Sequence, residues 1–172
     1  ILTEIATDSI SELDPSLQGG FHVSIETDLP MQVLLKGQEK QLTSNEMMHI
    51  KVLVVGDEQE AGKLRFEITS MDDIFFHYYS EIDEKVFNER IAEEQQVNIE
   101  YYAFYRVIAK MLDQVVKGEV ASQLILDNMA ETAVLSFQQD SEFRSVELLH
   151  LDFKESDVET IKNNISFRIN AQ

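Results

Sequence analysis

The sequence predicts an α+β fold: an antiparallel β-sandwich or barrel capped by a helix pair, with a C-terminal helix leading toward a coiled coil. Three observations carry this. Apolar and polar residues alternate at period two through residues 21–69 and again through 123–154, the pattern of half-buried antiparallel strands. Between these blocks, over 83–118, the period becomes that of a helix. A second helical period follows residue 155.

A chain of 172 residues is long enough for one compact domain that buries roughly 70% of its unfolded surface. The expected organisation is an extension or short helix over 1–20, a β-rich head over 21–154, and a C-terminal helix over 155–172. The extension, ending in Asp14-Pro15 and Gly19-Gly20, carries Ile5, Ile10 and Leu13 but no sustained helical stripe. Phe21, Val23 and Ile25 then alternate with polar residues as one face of a strand, which Pro30 is expected to break. Met31/Val33/Leu35, Ile50/Val52/Val54 and Leu64/Phe66/Ile68 give further strands. The polar stretches 36–45 and 56–63 between them read as exposed hairpin loops.

The aromatic run Ile74-Phe75-Phe76-His77-Tyr78-Tyr79 predicts one more strand. Asp83 caps a helix whose inner face holds Phe87 and Ile91, while Glu84, Glu89, Glu93 and Glu94 face water. After an extended link at 97–99, Tyr101, Phe104, Ile108, Met111, Leu112 and Val115 recur at helical spacing and form a core-facing stripe. Lys117 and Gly118 end that helix, a cation in the last turn and a glycine just past it. Strands are expected over 123–127, 132–138 and 146–154, with Leu149, Leu151 and Phe153 inward on the last. The final helix places Val158, Ile161 and Ile165 at a–d–a spacing, a heptad seam that Arg168 interrupts.

Charge and composition exclude several functions. With 14 basic and 32 acidic residues the net charge is −18, which repels nucleic-acid phosphates and anionic membrane surfaces alike. No apolar stretch approaches the roughly 20 residues needed to span a bilayer, so a soluble protein is expected. The lack of cysteine excludes disulfides, thiol catalysis and the usual zinc motifs, and suits a reducing cytosol. The chain opens on Ile1 with no signal peptide, which suggests a domain of a longer protein.

Candidate chemistry is sparse. Gly56-Asp57-Glu58-Gln59-Glu60-Ala61-Gly62-Lys63 fails as a phosphate loop. Its spacing is one residue too long, Leu64 stands where a hydroxyl must ligate magnesium, and three carboxylates would repel the phosphates. His22, His49, His77 and His150 are scattered without metal-ligand spacing; His77 and His150 fall in strands and read as structural. Asn164-Ile165-Ser166 fits a glycosylation sequon but lies on a helix. No nucleophile elbow occurs, and neither a cofactor nor a metal is expected.

The order of these elements resembles a known family. The stretch Asp73 to Ile82, the helix around Phe87 and Gln95, and Tyr101-Tyr102-Ala103-Phe104 are similar to the middle of the head domain of spindle assembly abnormal protein six, the centriolar cartwheel scaffold. Val134-Leu135-Ser136-Phe137, the turn 138–142, Phe143-Arg144, Leu148-Leu149-His150-Leu151 and Asp157 to Lys162 follow the same order to the C-terminal end. The resemblance covers roughly residues 46–170 and extends to the shorter cartwheel-like paralogue of the flagellar basal plate or apical conoid. It departs from the pattern at Tyr105, where a proline is expected, and at Gln96, where a glycine is expected.

The resemblance implies a structural protein without enzymatic activity, in the head superfamily shared with the XRCC-four end-joining scaffolds. It implies a cytoplasmic, cytoskeletal location at a centriole, basal body or flagellar base. It also implies that Phe143, with Glu142 and Arg144, forms a head-to-head homodimer interface, received by a pocket at the helix pair: Phe87, Ile91, Phe104 and Ile108. The expected partners are a second copy of the chain and other cytoskeletal scaffold proteins, with neither nucleic acid nor membrane. The residues alone also allow Phe143 to be an ordinary surface aromatic, and the head to be a monomeric module that reads a partner peptide.

Overall fold

The computed structural model describes residues 14–17, 19–37, 43–57 and 60–170. Among them lie seven strands: β1 (Phe21–Leu35), β2 (Thr43–Val55), β3 (Lys63–Ser70), β4 (His77–Ile82), β5 (Ala121–Asp127), β6 (Thr132–Asp140) and β7 (Ser145–Glu155). They close into a barrel in the order β1-β2-β3-β4-β7-β6-β5. Neighbours pair antiparallel except at the closure, where Gln32 to Leu35 of β1 run parallel to Gln123 to Leu126 of β5. That one parallel pairing joins strands about 90 residues apart, so no local pattern predicts it.

Helix α1 starts as Glu84–Val86 and widens into a π-helix over Phe87–Glu93. The Asp83 side chain accepts the Val86 N–H and caps it, as its sequence predicts. Helix α2 (Tyr101–Val116) turns Phe104, Ile108, Met111, Leu112 and Val115 into the barrel. There the Phe104 ring sits 4.9 Å from Phe87 and 6.5 Å from Phe66, centroid to centroid. Gly118 takes a φ of 79° just past the helix end, a backbone turn that glycine makes without strain.

Five expectations change. Pro30 does not end a strand. β1 runs through it as one element, and β5 joins β1 only from Gln32, so the missing N–H costs no ladder bond. Phe21, Val23 and Ile25 do not share a face. A bulge at Ser24 shifts the register, so Phe21 and Val23 pair with Val55 and Leu53 while Ile25 pairs with Val52 on the core side. Thr43 to Asn45 belong to β2, and not to the preceding loop.

The aromatic run is the fourth. β4 begins only at His77, because Ile74 to Phe76 sit in a turn. The Ser70 hydroxyl accepts the N–H groups of Asp72 and Asp73, and Asp73 accepts those of Phe75 and Phe76. These local bonds compete with the ladder and hold the segment out of the sheet.

β7 continues to Glu155, which pairs with Tyr78. The C-terminal helix α3 (Val158–Asn170) therefore starts later than its period suggests, at an Asp157 cap whose carboxylate accepts the Thr160 N–H at 2.7 Å. No helix among the described residues is long and apolar enough to cross a membrane. Most of the expected extension, with Ile5, Ile10 and Leu13, lies outside the described residues. Of its described part, Asp14 and the 3₁₀ turn Pro15–Leu17 pack on the barrel wall.

Candidate self-association site

The β6–β7 hairpin projects Phe143 into solvent. Its last pair is Asp140 with Ser145. Within the turn, the Ser141 hydroxyl accepts the N–H groups of Phe143 and Arg144 and donates to the Arg144 carbonyl. A side-chain bond between Ser145 and Asp140 closes the base. The turn is thus held by its own polar atoms, while the Phe143 ring at its tip is 92% exposed. Glu142 and Arg144 flank it, also exposed. Val146 and Leu148 extend the exposed apolar surface down the stem.

The stem is braced on its outer face. Gln123 donates to Gln32, Gln138 donates to Gln123, and Ser136 donates to Glu147, which also meets His150 Nδ1 at 2.7 Å. This chain of bonds crosses β1, β5, β6 and β7. Burial pushes the Glu147 carboxyl up, but hydrogen bonds from Ser136 and His150 and the His150 charge outweigh it and hold it below the usual range. Leu148 is an extra residue in the ladder, opposite the register shift at Phe137/Gln138, and it stays outside the core as a result.

The predicted pocket does not assemble as a recess. Phe87, Phe104 and Ile108 are enclosed in the barrel core, at or below 1% exposure, because they are the side chains that seal the barrel. Of the four, Ile91 alone lines an open cleft. This cleft of about 520 Å³ lies where β4 and β7 separate after two paired residues, and Ile82, Val86, Ile91, Gln95, His150 and Leu151 line it. A second hollow of about 660 Å³ lies at the hairpin base, between Asp140, Ser145, Val115 and Val120. Sequence reasoning missed the role of Gln95, whose amide carries no pattern that points to a partner 55 residues away.

At the other end of β7 a buried polar cluster fastens α3. Glu67 Oε1 accepts from the Ser16 hydroxyl at 2.8 Å and lies 3.4 Å from His77 Nε2. His77 Nδ1 meets the Ser156 hydroxyl at 2.6 Å, and Arg65 lies 3.3 Å from the second Glu67 oxygen. The Glu-His-Ser order resembles a catalytic triad, but Ser156 is enclosed and its N–H is bonded to the His77 carbonyl. The arrangement ties β3 and β4 to the segment before α3. Burial raises the Glu67 carboxyl, and the His77 bond, the Arg65 charge and the Ser16 hydroxyl outweigh it, so its pKa is lowered.

Along α3, Asn164 is buried against the head and Phe167 lies under the Lys51 ammonium. Of the predicted seam, Ile161 and Ile165 are half-buried and Val158 is exposed; Ile169 adds a further exposed apolar residue.

The family model described as the centriolar protein SAS N-terminal domain, SAS-6_N, matches residues 21–153. The chain belongs to this family. No curated protein sequence matches it. Its fold is that of solved SAS-6 heads. The N-terminal coiled-coil dimer of Caenorhabditis elegans SAS-6 superposes with a TM-score of 0.74 at 14% identity, covering 89% of this chain and 91% of that one. A Leishmania SAS-6 fragment containing part of its coiled coil gives 0.69 at 18%, covering 88% of each. A Drosophila melanogaster fragment, a Phe-to-Asp variant dimerised via its coiled-coil domain, gives 0.72 at 16%, covering 92% and 76%.

The two positions where the resemblance leads one to expect another residue, Gln96 and Tyr105, have visible local consequences. Gln96 adopts a φ of 55°, a left-handed conformation that suits glycine. Tyr105, within α2, meets the Ser24 hydroxyl at the β1 bulge through its own hydroxyl. A proline would supply no such tie.

Proposed function

We propose that this chain is a self-assembling structural domain of a centriole or basal-body scaffold, and that it dimerises head to head through Phe143. The observation that carries this is a large apolar ring presented to water on a hairpin turn closed by its own hydrogen bonds. A ring with no structural task in its own subunit is the usual mark of an interface anchor. We place its receiver in the β4–β7 cleft. β7 supplies both the hairpin tip and one wall of that cleft, so two copies related by a twofold axis exchange rings across one shared surface.

Burying each ring stabilises the pair by about 2–3 kcal/mol before association entropy is subtracted. The head contact is therefore weak, micromolar to millimolar. The apolar row on α3 offers a second twofold contact, in keeping with solved relatives described as coiled-coil dimers. A subunit with two different twofold contacts cannot stop at a dimer and grows into a ring or filament. Pairing of α3 between copies raises the effective concentration for the weak head contact.

Sedimentation of wild type and Phe143→Glu over a concentration series tests the head contact. We expect mass to rise with concentration in the wild type and the variant to lack the head-to-head step. Identical behaviour of both up to millimolar concentration would replace this reading with that of a module binding a partner peptide in the same cleft.

A further inference from the structure

The connector between β3 and β4 carries three exposed apolar side chains: Met71 (70%), Ile74 (43%) and Phe75 (65%). Asp72 and Asp73 lie between them and are exposed as well. The turn bonds described above fix this segment, so the apolar groups are displayed by an ordered loop. None of them serves the barrel core.

The position of the connector relative to α3 follows from one contact. At about 100° per residue around a helix, Phe167 and Asn164 come first and face the head. Arg168 comes next, followed by the apolar row Ile161, Ile165 and Val158. Beyond the row lie Ile169, Lys162, Ser166 and Glu159. Arg168 donates to the Ser70 carbonyl at 3.2 Å, and Met71 lines a small hollow with Asn164, Phe167 and Arg168. The connector thus flanks α3 on the side that leads to its apolar row.

A second α3 packed in parallel on that row is related to the first by a twofold axis along the pair. Each helix has its head on one flank of the row. The twofold operation turns its opposite flank toward the other subunit's head. That flank holds Ile169 and Lys162, and the part of the head it meets is the connector. We propose that Met71 to Phe75 form a docking surface for α3 of a second copy of this chain. Ile169 of the partner subunit covers Phe75 and Met71, and the partner's Lys162 lies over Asp72 and Asp73, so the charges match as well as the apolar surfaces. This rests on the self-association reading and adds to it. A head gripped by both helices has a fixed angle to the paired α3 helices, and that angle decides between a closed ring and an open filament.

Because the chain has no cysteine, introduced thiols report contacts without background. One copy carrying F75C is co-expressed with one carrying I169C, so that only an intersubunit disulfide joins them. I165C in both copies reports the paired helices themselves, and F143C with I169C is the negative control. β7 is 11 residues long and separates the hairpin tip from the start of α3, a span of about 35 Å. We expect F75C/I169C and I165C/I165C to cross-link and the control to stay unlinked. Cross-linking of I165C without F75C/I169C overturns the docking surface and leaves the helix pair standing. Failure of both overturns the helix pair as well. Phe75 is exposed, so loss of its ring leaves the fold intact.

Discussion

Gln95 replaces a missing strand for His150: its Oε1 accepts the His150 N–H at 2.9 Å and its Nε2 donates to the His150 carbonyl at 2.8 Å. One side-chain amide thus performs both halves of a ladder pairing, where β7 has parted from β4. It also ties the residues that follow α1 to the strand that carries the hairpin.

Gln95→Ala removes both bonds and opens the β7 backbone to the cleft. We expect a loss of about 1–3 kcal/mol, two hydrogen bonds' worth, measured as a lowered midpoint in urea at unchanged slope.

Gln96→Gly should act in the opposite direction. The φ of 55° strains any side chain with a Cβ, and glycine adopts it freely. Against the added entropy of glycine in the unfolded chain, we expect a net gain of up to about 1 kcal/mol. A Tm unchanged or lowered in calorimetry would show that Gln96 makes compensating contacts.

Glu67 makes stability depend on acid. Its folded pKa lies below its ordinary value of 4.5, so its stabilisation is complete above that value and is lost as the pH falls through the folded pKa. Denaturation at stepped pH should show the wild type weakening below about pH 4.5, with a shallower pH slope for Glu67→Gln. The same slope in both would remove Glu67 from the account.

Phe104→Ala and Phe143→Ala should separate core from surface. The first empties the barrel centre and costs about 3–5 kcal/mol. The second leaves the monomer within about 0.5 kcal/mol of wild type, because the ring is almost wholly exposed. Unfolding at low concentration, where association is absent, measures both.

The sequence made legible whatever rests on local period. The α2 stripe, the Asp83 cap, the Gly118 terminus and the β6 and β7 inner faces all stand where their residues predict. It hid what depends on single side chains competing with the backbone. Ser70 and Asp73 pull Ile74 and Phe75 out of an otherwise strand-like run, and the Ser24 bulge turns Phe21 away from Ile25. At the candidate site the hairpin tip was readable, since Phe143 is an isolated aromatic amid turn residues. The burial of Phe87, Phe104 and Ile108 was not, because their composition is the same whether they line a recess or fill a core.

The parallel seam between β1 and β5 has a consequence for how the molecule is made. Strands β1 to β4 are consecutive in the chain and can pair as they are made, yet both margins of that half-built sheet then lack a neighbour. β1 waits for residues 123–126 and β4 for the end of β7. Until then the nascent chain offers two bare backbone edges to any neighbouring strand. Contacts of such long sequence separation also make closure slow, so the late-arriving segment 121–155 governs whether each new copy folds shut on itself or tangles with another still being synthesised.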